Sequence, residues 1–144
     1  MKSIALHGLF AIALISLNLL VSASALAEVA VIVHPDNHNK LTARDIARIY
    51  LGKKKTFPDG ARAIPIDQSE DSLVRAVFNA NVLNKSSQRL KTYWAELLFT
   101  GRGTPPEEVG RDDAVKTRVS QNPSIIGYID ASNVDDSVRV VYSF

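Results

Sequence analysis

The sequence predicts one α/β domain over residues 28–144, a three-layer-like arrangement in which a mixed, mostly parallel sheet is flanked by helices. Two observations support this fold class. Short β-branched runs alternate along the chain with segments whose apolar residues recur at helical spacing. The segment is also long enough for one hydrophobic core, and no low-complexity tract or linker divides it.

The N-terminal segment, residues 1–27, has the features of a secretory signal peptide. Lys2 supplies a positive charge, no charged residue occurs from Ile4 to Val21, and the small residues Ala25 and Ala27 form a cleavage pattern. The apolar run is at the short limit for a transmembrane helix and is not followed by a basic stop. We therefore expect cleavage after Ala27, a periplasmic mature domain and no membrane anchor after cleavage.

Strands are predicted where short runs are apolar and rich in β-branched residues. Four such runs are residues 28–33, 62–66, 125–129 and 138–142. Pro65 lies in the second run and favours an edge or a strand end, because proline cannot donate a ladder hydrogen bond.

Helices are predicted where apolar residues recur three and four positions apart. Four such segments follow a capping residue or end at a helix stop, at about residues 42–51, 69–82, 86–98 and 112–120. Thr42 and Asp45 are spaced like a capping box at the start of the first helix, and Gly52 is placed to end it. The acidic pair Glu107-Glu108 is interpreted as a solvated helix start.

The composition excludes several function classes. The chain has no cysteine, which excludes disulfides and thiolate chemistry, and its 17 basic side chains nearly balance 15 acidic ones, which gives no support for nucleic-acid binding. No nucleophile elbow, Walker A loop or dinucleotide fingerprint is present, so neither an enzyme nor a cofactor is predicted. His34 and His38 flank Asp36 in a turn and could ligate a metal, but a solvated loop is the favoured interpretation.

One segment could bind an anion. A helix that starts near Ser69 would offer free N–H groups and the positive end of its dipole, with hydroxyl donors on Ser69 and Ser72 and the guanidinium of Arg75 one turn inside. Glu70 and Asp71 place two negative charges in the same first turn. On the residues alone, a capped helix is favoured over an anion site.

The order of motifs over nearly all of the mature chain resembles a known family. The matching segments are residues 41–53, Phe57-Pro58-Asp59-Gly60, Ser72 through Phe78, Tyr93-Trp94, Phe99-Thr100-Gly101, Pro105-Pro106 and residues 122–128. This series is similar to the second lobe of the periplasmic phosphate-binding proteins of ABC transporters, which have the type-2 periplasmic-binding fold.

The resemblance implies a periplasmic solute-binding protein for phosphate or a related small anion, with Ser69, Ser72 and Arg75 as the ligand-binding residues. Its implied partner is a membrane transporter or sensor, and a homodimer could supply the lobe that the chain lacks. Leu73 and Val74 stand where the family has glycine and threonine, which removes a close backbone approach and a hydroxyl donor. The alternative that the residues leave open is a non-ligand-binding interaction domain that contacts a membrane sensor or transporter.

Overall fold

A computed structural model describes residues 28–144. The predicted signal peptide, residues 1–27, lies outside the described residues. Within them the chain forms five strands, four α-helices, a π-helical turn and a short 3-10 turn. In chain order these are β1 Val29–Val33, α1 Ala43–Tyr50, β2 Ile64–Gln68, α2 Leu73–Phe78, the π turn Asn79–Leu83, α3 Ser87–Phe99, β3 Glu107–Gly110, α4 Asp112–Gln121, β4 Ile125–Asp130, the 3-10 turn Ala131–Asn133 and β5 Arg139–Ser143.

The strands form one mixed sheet in the order β3-β2-β4-β1-β5. β2 pairs in parallel with both β3 and β4, whereas β1 pairs antiparallel with β4 and β5. The predicted α/β fold class with a mixed sheet is confirmed. The sheet holds as many antiparallel as parallel pairs, rather than the mostly parallel pairing expected, because β1 runs against both of its neighbours.

Helices cover both faces of the sheet. One face, with Val29, Val31 and Val33 of β1, packs on α1, α2 and the π turn. The other, with Ala30 and Ile32, packs against α4. Because both faces are covered, all five residues of β1 are buried, and the strand is a continuous apolar run rather than an alternating one. The helices on the two faces and the sheet between them form three layers, which confirms the predicted arrangement.

Local signals in the sequence place the helix ends well. Thr42 accepts a hydrogen bond from the Asp45 N–H, and Asp45 accepts one from the Thr42 N–H, so the predicted capping box is present at the start of α1. Gly52 follows the helix with a φ of 71°. Here the left-handed conformation favours glycine, because a side chain at this φ meets steric repulsion.

Two sequence-based predictions are wrong in detail. Glu107 and Glu108 are not a helix start but the first half of β3, which pairs with β2 at the edge of the sheet. Exposed charged residues suit an edge strand because they discourage pairing with other chains. α2 begins at Leu73 rather than near Ser69, because the Ser72 hydroxyl accepts a hydrogen bond from the Arg75 N–H and caps the helix there.

Pro65 lies in β2, which has neighbours on both sides. Pairing with β3 begins only at Ile66, so no neighbouring strand lies on that side at Pro65. Pro65 aligns with Ile126 of β4 on the other side. β4 thus pairs with the first two residues of β2, and β3 pairs with the last three. Pro65 therefore lies where the strand is open on one side, as expected for that residue. Among residues 28–144, no helix is both long enough and apolar enough to cross a bilayer.

Candidate functional site

The predicted ligand-binding residues lie together at the carboxyl end of β2. A four-residue turn, 69–72, connects the strand to α2, and β3 ends beside it. The Ser69 N–H donates to the Gly110 carbonyl at 2.8 Å, and the Ser72 N–H donates to the Ser69 carbonyl at 2.9 Å. These two bonds hold the turn against the end of β3. The structure thus brings Ser69, Ser72 and Arg75 to one edge of the sheet.

The Ser72 hydroxyl is buried and has two protein partners. It donates to Oε1 of Gln68 at 2.6 Å and accepts the Arg75 N–H at 3.2 Å. One acceptor lone pair remains, so this hydroxyl has no free proton to offer an anion unless it releases Gln68. Its role in the structure described is to cap α2 and to connect the helix to β2.

Gln68 is the centre of this polar network, and sequence reasoning missed it. Its side chain is fully buried, and its amide nitrogen donates to Oδ1 of Asp112 at 2.6 Å and to the Tyr128 carbonyl at 2.9 Å. Oε1 accepts from Ser72. The available signal was a polar residue at the carboxyl end of a buried strand, four positions before the capping serine. A buried amide with every group paired fixes the geometry of the turn.

Arg75 faces two carboxylates. Its Nη1 donates to the Gln68 carbonyl at 2.7 Å and to Oε2 of Glu108 at 3.1 Å, and its Nη2 lies 3.2 Å from Oδ2 of Asp67. The guanidinium therefore points toward the sheet edge rather than into solvent. An incoming anion at this place would compete with Glu108, which is the more exposed of the two carboxylates.

Asp67 is largely buried beneath Arg75. Burial raises the pKa of its carboxyl group, while hydrogen bonds from the Tyr128 hydroxyl and the Gln68 N–H and the positive charge of Arg75 act in the opposite direction. The pKa of Tyr128 is also raised, by burial first and then by the neighbouring Asp67 charge. The site consequently holds a carboxylate that is costly to keep charged, next to the guanidinium.

The two acidic residues of the turn are each paired with a basic residue from another element. Glu70 forms an ion pair with Lys91 of α3, and Oδ2 of Asp71 lies 2.8 Å from Nη2 of Arg111. These pairs are exposed and contribute little to stability. They do offset the negative charge that the sequence places in front of α2. Leu73, the first residue of the helix, is 69% exposed, and its N–H group has no acceptor among residues 28–144.

The turn that carries the two histidines does not gather metal ligands. Nδ1 of His34 accepts a hydrogen bond from the Asp36 N–H at 3.0 Å, so it supports the turn. Within residues 28–144, no three His, Cys, Asp or Glu side chains are placed to hold a metal ion.

Comparison with known proteins gives matches among solved structures alone. No family model and no curated protein matches the chain. A structure from Clostridium perfringens with bound phosphate, described as a phosphate ABC transporter substrate-binding protein, is 27% identical, with a TM-score of 0.59 over 81% of this chain and 45% of that one. An ABC-type phosphate transport receptor from Vibrio cholerae is 20% identical, with a TM-score of 0.62 over 81% and 46%.

PstS from Borrelia burgdorferi, at 17% identity, matches with a TM-score of 0.56 over 80% of this chain and 47% of that one. The fold resembles one lobe of these phosphate-binding proteins. The chain spans less than half the length of each of the three, and the predicted resemblance to a single lobe is confirmed. The first two are described by name as phosphate transport or substrate-binding proteins, which agrees with a solute-binding-like fold.

Proposed function

We propose that the chain is an exported, solute-binding-like protein that takes phosphate or a related small anion at the turn before α2, in the periplasm, for an ABC transporter or sensor. Residues 1–27 act as the cleaved signal peptide, and residues 28–144 are the mature domain. The observation that carries the proposal is the structural likeness to a phosphate-bound protein at 27% identity over 81% of this chain. We favour this function over the interaction-domain alternative because these neighbours are described as substrate-binding or transport proteins.

The local chemistry supports an anion that approaches from the solvent side of the turn. The first N–H of α2 is available there, Arg75 lies one turn inside the helix, and the acids of the turn are already paired. Binding would require the Arg75 guanidinium to exchange Glu108 for the anion while it keeps its bonds to Gln68 and Asp67. The Ser69 hydroxyl would add a donor, and the Ser72 hydroxyl would add a second one by releasing Oε1 of Gln68. A second copy of the chain would supply the wall that the other lobe provides in a longer protein.

Titration calorimetry of phosphate-stripped residues 28–144 with phosphate, and then with sulfate, tests the proposal. Saturable binding is expected for the unmodified protein. Ser72→Ala should weaken phosphate binding about fivefold or more, since a hydrogen bond to a charged group contributes about 1 kcal/mol or more. Ser86→Ala is the matched control, because Ser86 caps α3 through the same hydroxyl-to-N–H contact of 3.2 Å, away from the site.

Arg75→Gln should abolish phosphate binding, because it removes the positive charge beside the turn. The proposed function is wrong if the unmodified protein shows no saturable heat with either anion. Equal weakening by Ser72→Ala and Ser86→Ala would instead remove Ser72 from the site, since loss of a helix cap alone would then explain the effect.

A further inference from the structure

A cavity of about 300 Å³ lies under α3 and beside the polar network. Its walls are mainly apolar, from Leu83, Leu90, Trp94, Leu98, Pro105 and Pro106. This volume is at the lower end of the range for small-molecule sites, which are typically apolar with a few converging polar groups. Glu70 of the turn 69–72 lines it, whereas Ser69 and Ser72 do not, so the cavity adjoins the turn without including the two serines.

Asn79 supplies the first polar group in this cavity. The residue is 3% exposed, and no hydrogen bond of its carboxamide is found within residues 28–144. Three other polar residues in the described part of the chain are equally buried, namely Asn37, Gln68 and Ser72, and the side chain of each is hydrogen-bonded. No polar side-chain atom sealed from solvent lacks a partner there. The Asn79 carboxamide, which lines the cavity, therefore reaches its open space.

The backbone departs from regular helix at this residue. α2 widens into the π turn at Asn79 and ends at Asn84, whose φ is 50°. π turns are rare, occur mostly as single turns inside α-helices, and are frequent at functional sites. The Asn79 N–H still donates to the Arg75 carbonyl, so the two residues are one helical turn apart, and both line the cavity. The local irregularity thus places an unpaired carboxamide in a cavity that Arg75 also lines.

The charged groups around the cavity balance in sign. The ion pair of Asp67 and Arg75, which is largely buried, lines the cavity together with the exposed pair Glu70 and Lys91. A small anion would meet two carboxylates here, and a small cation would meet two basic groups. A ligand with one group of each sign would find a partner for both, while an apolar body would fit the Leu, Trp and Pro walls.

We propose that this cavity binds a small zwitterionic amino acid with an apolar side chain. Its ammonium group would face the carboxylates, its carboxylate would face Arg75 and Lys91, and its side chain would lie against Leu90, Trp94 and Leu98. The carboxamide of Asn79 offers a donor and an acceptor at once, which matches both polar groups of such a ligand. The inference goes beyond the proposed anion site. The two sites share the charged residues Asp67, Glu70, Arg75 and Lys91, but Asn79 and the apolar walls belong to the cavity alone.

Trp94 is the single tryptophan of the chain and lies in the cavity wall, so its fluorescence reports occupancy directly. Residues 28–144 are titrated with L-leucine and L-phenylalanine, and in parallel with isovalerate and isoamylamine, each of which carries only one of the two charges. Saturable fluorescence changes are expected with the amino acids. The two half-ligands should bind about tenfold more weakly or not at all.

Asn79→Ala should weaken amino-acid binding about tenfold. The matched control is Asn81→Ala, in the same π turn, because the Asn81 side chain is exposed and donates only to the Val77 carbonyl at 2.9 Å. Ala95→Phe keeps the Asn79 turn intact and fills the cavity from α3, so it should block binding even if Asn79→Ala does not fold. Asn79→Ala should still bind phosphate in titration calorimetry, which separates this proposal from the anion site.

The proposal is overturned if none of the zwitterions changes the Trp94 fluorescence at concentrations up to about 10 mM. Equal affinities for Asn79→Ala and Asn81→Ala, or amino-acid binding that survives Ala95→Phe, would overturn it as well. Isovalerate that binds as tightly as leucine would also contradict it, since the ammonium group would then have no partner in the site.

Discussion

The contact between β4 and α4 gives a sharp test of the packing described above. Gly127 lies in β4 directly beneath α4. A Cβ atom added at this position would lie 2.5 Å from Cγ1 of Val115 and 3.2 Å from Cγ2 of Val119. Both neighbours are β-branched, and therefore stiff at χ1, and both are fully buried, so their methyl groups have little room to move. Gly127→Ala therefore forces the helix and the strand apart.

The expected cost follows from the type of clash. Insertion of an extra methyl group into a packed core costs typically about 1–3 kcal/mol. The contact at 2.5 Å is far inside van der Waals distance and involves a stiff side chain, so we expect Gly127→Ala to lower the free energy of unfolding by about 2 kcal/mol. For a domain of this size that corresponds to a melting temperature lower by roughly 8 °C.

Urea unfolding of residues 28–144, followed by circular dichroism, measures this change. Gly103→Ala is the matched control, because a Cβ there meets only ordinary contacts, the nearest being Trp94 at 3.6 Å. Both substitutions restrict the unfolded chain in the same way, which by itself favours folding by about 0.4–1 kcal/mol. The difference between the two variants therefore isolates the clash.

A second substitution checks the cause. Val115→Ala removes the methyl group that the new Cβ would meet, so the double variant should be more stable than the sum of the two single effects predicts, by about 1 kcal/mol or more. Gly127→Ala as stable as Gly103→Ala, or strictly additive effects with Val115→Ala, would show that α4 does not lie on β4 as described.

Two further predictions concern the polar network. Gln68→Leu should lower the free energy of unfolding by about 3 kcal/mol, because it leaves the Tyr128 carbonyl and the partly buried Oδ1 of Asp112 without the donor they have now. Gln88→Leu, at an exposed position of α3, should change it by less than about 0.5 kcal/mol. A loss under about 1 kcal/mol for Gln68→Leu would contradict the network. For Asp67, the folded pKa is raised, so the folded state binds the proton more tightly than the unfolded state, and stability should rise as the pH falls from 7 through that pKa. Urea unfolding of the unmodified protein and of Asp67→Asn measures this effect. As the pH falls over this range, the free energy of unfolding of the unmodified protein should rise relative to that of the variant. A relative fall would mean that the folded pKa of Asp67 is lowered.

Much of the local structure could be predicted because it depends on neighbours in the chain. The Thr42 capping box is set by residues three positions apart. The two buried strands β1 and β4 are continuous apolar runs, and α3 and α4 have apolar residues at helical spacing. These elements therefore lie close to the predicted bounds. Residue types alone also excluded disulfides and the known nucleotide-binding and hydrolase motifs.

The candidate site could be predicted only as a set of residues. Ser69, Ser72 and Arg75 do lie together, since they share one turn and the start of one helix. The sequence could not show that Arg75 bonds to Glu108, 33 positions away, or that Ser72 donates its proton to Gln68. These contacts depend on the parallel pairing of β2 with β3, which joins segments far apart in the chain.

The sequence by itself determined the fold class, the order of most elements and the starts of α1 and α3, because each depends on patterns within short segments of the chain. Tertiary structure alone decided three things: the position of β3, the pairing of Glu70 and Asp71 with distant basic residues, and the placement of Asn79 in an apolar cavity. Each of these depends on contacts between segments far apart in the chain. Such contacts depend on how the buried faces pack together, and no local pattern carries that information.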